Sequence, residues 1–124
     1  MATLNDQTIQ QLADAINGND RAQEWLQRQG RTELIMVHDA IRFGSDSAVE
    51  WLHENDYDDW GLFIVATEGD PYAVQALFDA KHARMAMCAG AIIGDERSWE
   101  YLQKNNLKAW MNLVVAVKKA NSEE

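Results

Sequence analysis

GNDRAQEWL at residues 18–26 returns as GSDSAVEWL at 44–52, GDPYAVQAL at 69–77 and GDERSWEYL at 94–102. From glycine to glycine the steps are 26, 25 and 25 residues, and each copy closes on a leucine: Leu26, Leu52, Leu77, Leu102. Self-similarity at a fixed period in this range is the signature of stacked supersecondary units, so it outranks any local motif in deciding the fold.

The copies can be read physically. A glycine past the end of a helix supplies the left-handed residue that closes its last turn. The Asn, Ser or Asp behind it offers an oxygen to the unpaired amides of the next helix. One helix therefore stops and another starts within two residues. Pro71 takes a first helical position, where its missing N–H costs nothing, and Asp20, Asp46 and Glu96 put a negative charge there, which suits the helix dipole. From each cap the first helix runs Ala22-Trp25-Leu26, Ala48-Trp51-Leu52, Ala73-Ala76-Leu77 and Ser98-Tyr101-Leu102, the i, i+3, i+4 spacing of one buried face. After a polar turn a second helix places Leu34-Val37-Ala40-Ile41, Trp60-Phe63-Ala66-Thr67, Met85-Cys88-Ala91-Ile92 and Trp110-Leu113-Ala116-Val117 in register. The alanine common to them marks a close approach of helices.

Ile9, Leu12, Ala15 and Ile16 keep the same offsets from Gly18, so residues 4–17 read as the second helix of an incomplete opening unit. The expected organisation is one domain over 1–124: a half repeat at 4–17, repeats at 18–43, 44–68, 69–93 and 94–119, and a tail at 120–124. That makes nine helices of about 9 to 13 residues, marginal alone and dependent on their neighbours.

On this pattern the chain resembles the two-helix solenoids, being similar in plan to HEAT, armadillo and ankyrin-type arrays but with a shorter period and without the ankyrin Thr-Pro-Leu-His or tetratricopeptide signatures. The Gly-x-x-x-Ala-x-x-Trp-Leu pattern of 18–26 and 44–52 is also similar to short repeats of uncharacterised bacterial proteins. The resemblance implies an all-α right-handed solenoid of about four and a half repeats acting as a binding scaffold. It brings no catalytic residue and no cofactor.

Composition agrees. The 124 residues are 47% hydrophobic, enough for a substantial core in one domain. No charged-then-apolar leader and no apolar run near the ~20 residues needed to cross a bilayer is present, so neither membrane nor export is expected. The lone Cys88 excludes an internal disulfide and suits a cytoplasmic setting. Twenty acidic against eleven basic residues give a net charge of −9, which works against the phosphate attraction behind most nucleic-acid binding and favours a protein or peptide partner, basic if charge steers it.

Candidate chemistry is thin, and no enzyme is expected. Cys88 holds the slot of Val37, Phe63 and Leu113, a core position; His38 holds that of Ile64, Ala89 and Val114, and its neighbour Asp39 is expected to point elsewhere. The acidic turn His53–Asp59 has oxygen ligands but neither the glycine nor the spaced glutamate of a calcium loop. His53 and His82 lie in matching turns of adjacent units, so a small metal-dependent enzyme or sensor built on them is the alternative reading, although a third zinc ligand is not nominated.

Two departures from the repeat are more informative. Off the core stripe of the first helices stand Val49, Val74, Phe78 and Trp99, which stacked side by side would form an apolar strip and a partner-binding site. The last helix carries Trp110, Met111, Leu113, Val114, Val115 and Val117 with almost no polar face, unlike the opening helix with its Asp6, Gln7, Gln10, Gln11 and Asp14. A terminal repeat usually turns a polar face to water, so this helix is expected either to pair with a second copy through Met111, Val114 and Val115, as a self-associating module, or to be covered by the array wrapping back on itself.

Overall fold

The computed structural model describes residues 5–123, and over them the chain is all-α, with nine helices and no strand among the described residues. They are α1 (Asp6–Ile16), α2 (Asp20–Arg28), α3 (Thr32–Phe43), α4 (Asp46–Glu54), α5 (Asp58–Thr67), α6 (Pro71–Asp79), α7 (Ala83–Ile92), α8 (Glu96–Lys104) and α9 (Lys108–Ser122). The half repeat is α1; Leu4 and the final Glu124 lie outside the described residues. The segment 120–124 is not a separate tail as far as Ser122, because α9 continues through it, Asn121 Nδ2 donating to the Thr67 carbonyl at 3.3 Å.

The expected caps form. Asn19, Ser45, Asp70 and Asp95 accept backbone N–H groups of the first turns of α2, α4, α6 and α8 at 2.9–3.3 Å, and the glycine before each has positive φ. The turn inside each repeat has a regularity of its own. Gly30, Asp56, Lys81 and Asn106 all adopt the left-handed conformation, with φ of 68, 66, 68 and 53°. One residue later, the N–H groups of Arg31, Tyr57, His82 and Leu107 donate to the carbonyls of Leu26, Leu52, Leu77 and Leu102 at 2.8–3.0 Å, a Schellman closure. The four leucines thus terminate their helices with the backbone and fill the core with the side chain, all four being fully buried.

The odd-numbered helices form an inner layer in which α1 packs on α3, α3 on α5, α5 on α7 and α7 on α9. The circuit then closes, because α9 packs on α1 over the most extensive interface between any two helices. Asn112 Nδ2 donates to Gln10 Oε1 across that seam at 2.7 Å, and Arg42 Nη1 reaches the Ile16 carbonyl at 3.2 Å. With the Asn121 bond to Thr67, these contacts set the C-terminal ends of α1, α3, α5 and α9 at one end of the ring. The even-numbered helices form an outer layer, each seated on the two inner helices that flank it in sequence rather than on another outer helix. Trp60, Phe63 and Trp110 are the largest buried side chains, and the alanines at 40, 66, 91 and 116 are buried at the inner-helix contacts.

The apolar last helix is therefore covered from within. Of the two expectations for α9, wrapping back on the array is the one observed. Of the three residues expected at a two-copy contact, Val114 is 2% exposed, Met111 is half-buried, and Val115 alone is open, at 56%. No described helix is long and apolar enough to cross a membrane.

Candidate functional site

Val49, Val74, Phe78 and Trp99 are all half-buried, and they do not form one strip. The outer helices that carry them stand apart, so each contributes to its own cleft. Val74 and Phe78 of α6, with Pro71, face Gly90 and Ile93 at the end of α7 and Asp95 at the cap of α8, around a cleft of about 460 Å³. Trp99 of α8, with Glu96, faces Val114, Val115 and Lys118 of α9 around a cleft of about 330 Å³. Val49 packs against the core and lines neither.

The two clefts are one feature repeated. Twenty-five residues separate Pro71 from Glu96, Val74 from Trp99, Gly90 from Val115 and Ile93 from Lys118. They differ in what lies beyond. Past the first cleft α8 is seated on α7 so closely that a Cβ on Gly90 would overlap Ser98 Oγ and stand 3.1 Å from Ser98 Cβ. Past the second no outer helix follows among the described residues, and Val115, the counterpart of Gly90, is exposed. Glycine inside a helical pattern was the available signal for such a contact. Gly61 is a second case, since a Cβ there would stand 2.8 Å from His53 Cε1, so the glycine is what lets His53 lie against α5.

The polar candidates have structural employment. Cys88 is fully buried, its Sγ 3.7 Å from the Trp110 carbonyl, and burial pushes its thiol far above the ordinary range, so it holds no thiolate to use. His38 and Asp39 do pair, Nδ1 to Oδ1 at 2.8 Å, contrary to the expectation that helix neighbours diverge. The pair lines none of the clefts, and the His38 ring is buried edge-on to Phe43 at 5.7 Å. His53 pairs with Asp58 at 2.9 Å on the surface, whereas His82 precedes α7 among Lys81, Arg84 and Tyr101, where two cations oppose a metal ion. No three metal-binding side chains converge among the described residues. Two acids of the 53–59 segment serve the helix start: Asp58 and Asp59 occupy the first turn of α5, and Asp59 Oδ1 accepts the Trp60 N–H at 2.8 Å.

Both clefts combine apolar side chains with charged ones, Asp95 in the first and Asp95, Glu96 and Lys118 in the second. In comparisons with known proteins no family model matches the chain, no curated protein is significantly similar to it, and no solved structure matches it.

Proposed function

We propose that this protein is a non-enzymatic scaffold that binds a protein or peptide on its outer surface. The observation that carries the reading is the pair of equivalent clefts under Val74 and Phe78 and under Trp99: repetition gives the surface two similar apolar grips one repeat apart, a spacing an extended or helical partner can span. The array is read as a right-handed superhelix whose ends have met. A buried, unreactive cysteine suits the reducing cytoplasm, the setting proposed for it.

The test is capture by the immobilised full-length protein, compared with Phe78→Ser combined with Trp99→Ser, and with Tyr72→Ser as control. Tyr72 is the most open large apolar side chain of the described residues, at 85% exposure, and lines neither cleft. Partners should be lost from the double variant, at a temperature where it stays folded, and kept by the control. Equal capture by wild type and double variant would reject the clefts as the binding surface.

A further inference from the structure

The start of α7 inverts the charge of its own repeat. Lys81 and Arg84 stand 25 residues after Asp56 and Asp59, so the place that is acidic before α5 is basic before α7, in a chain of net charge −9. Lys81, His82 and Arg84, with Tyr101 of α8 and Trp110 of α9, line a cleft of about 350 Å³ that, unlike the Phe78 and Trp99 clefts, carries no carboxylate. Lys81 and Arg84 are exposed, and none of the three bases is in an ion pair among the described residues. We propose that this cleft binds a phosphoryl group carried by a small phosphate monoester. The proposal is independent of the two apolar clefts and of the scaffold reading.

The backbone favours an anion at the same place. α7 is ten residues long, with no side-chain cap and no acid in its first turn. In α3 and α5 the corresponding donor is answered, Leu34 N–H by the Arg31 carbonyl at 3.0 Å and Trp60 N–H by Asp59 Oδ1 at 2.8 Å. The N–H groups of Ala83, Arg84 and Met85 meet no acceptor among the described residues, and such a helix start attracts negative charge. The observation that points to a ligand is Trp110. It is 2% exposed, it lines the cleft, and its Nε1–H is a buried donor without a hydrogen-bond partner among the described residues. Buried N–H groups are nearly always paired, so this one calls for an acceptor that the described chain does not bring. A phosphoryl group answers the whole set. Its charge of nearly two matches Lys81 and Arg84, where a carboxylate would match one of them, and its three oxygens can accept from backbone and indole together. The rings of Tyr101 and Trp110 give the esterified group an aromatic wall.

The probes are inorganic phosphate and phenyl phosphate, each titrated to about 10 mM into the isotope-labelled full-length protein and followed by nuclear magnetic resonance, with chloride at matched ionic strength as the reference. Saturable, concerted shifts are expected at the Trp110 indole N–H and at the backbone N–H groups of Arg84 and Met85, with tighter binding of phenyl phosphate. Arg84→Gln and Lys81→Gly should each weaken that binding about tenfold. Both side chains are exposed, so both variants keep the fold, which circular dichroism checks. The absence of saturable shifts at these groups, the same shifts with chloride, or unchanged affinity in the two variants overturns the proposal. A Trp110 indole that stays still while the backbone groups move also overturns it, because the buried donor would then have no part in the site. Equal affinity for the two probes would overturn the monoester and leave a site for the free anion alone.

Discussion

Replacing Gly90 by alanine sets two effects of known sign against each other. Gly90 lies in α7 with helical backbone, and in a free helix alanine would be more favourable than glycine by ~1 kcal/mol. In the folded protein the new Cβ overlaps Ser98 Oγ, and Ser98 is buried with its hydroxyl donating to Asp95 Oδ2 at 3.1 Å. Turning the hydroxyl away forfeits that bond, worth ~1 kcal/mol, and still leaves Ser98 Cβ 3.1 Å from the added methyl, so α8 must also shift. Overpacking of this kind costs ~1–3 kcal/mol, and the net expectation is a loss of ~1–2 kcal/mol. Ser98→Ala supplies the control, because alanine is the residue at the same place in α2, α4 and α6. It removes the overlapping atom, so in its background Gly90→Ala should cost less by ~1 kcal/mol or more, read as the coupling in a double-mutant cycle by urea denaturation. A Gly90→Ala protein as stable as wild type, or a coupling below ~0.5 kcal/mol, would refute the close seating of α8 on α7.

Leu52→Ala or Leu77→Ala should each lose ~2–5 kcal/mol in the same assay, since both side chains are fully buried in the row that joins outer to inner layer. Lys81→Gly should gain ~1 kcal/mol, because lysine holds the left-handed turn position that glycine occupies at Gly30; a loss would mean the lysine side chain contributes more than its backbone costs. Cys88 should resist alkylation in the native protein and react on unfolding. Burial raises its folded pKa above the ordinary value of 9.0, so its contribution to stability is complete below that pH and declines as pH rises above it, the unfolded chain alone releasing the proton. Unchanged stability from pH 8 to 10 in comparison with Cys88→Ala would contradict this, the Asp and Glu side chains being ionised throughout.

The caps, the leucine row and the helix count were legible because each rests on residue types that recur at a fixed offset. The turns inside the repeats were not, since one geometric position is filled by Gly30, Asp56, Lys81 and Asn106, which share a backbone conformation and no chemistry. Closure was equally hidden. How far successive units rotate depends on side chains meeting between repeats, such as Ser98 on Gly90, and no pattern within a unit records that angle. The excess of apolar residues on α9 was the visible trace, and its correct resolution was the contact with α1. The supposed strip failed for the same reason: Val49, Val74, Phe78 and Trp99 share a helical face, but the ring spreads the outer helices until those faces no longer adjoin.

An open helical array behaves like a spring and like a sentence that can take another clause, since a unit added or deleted disturbs only its neighbours. The seam between α1 and α9 ends that freedom here. Duplicating or excising one repeat would part the first helix from the last and break their contact, the largest in the molecule, together with the Gln10–Asn112 bridge. Pulling on the ends must rupture the seam before any repeat can unwind. Selection can therefore vary what each unit displays, but not readily how many units there are.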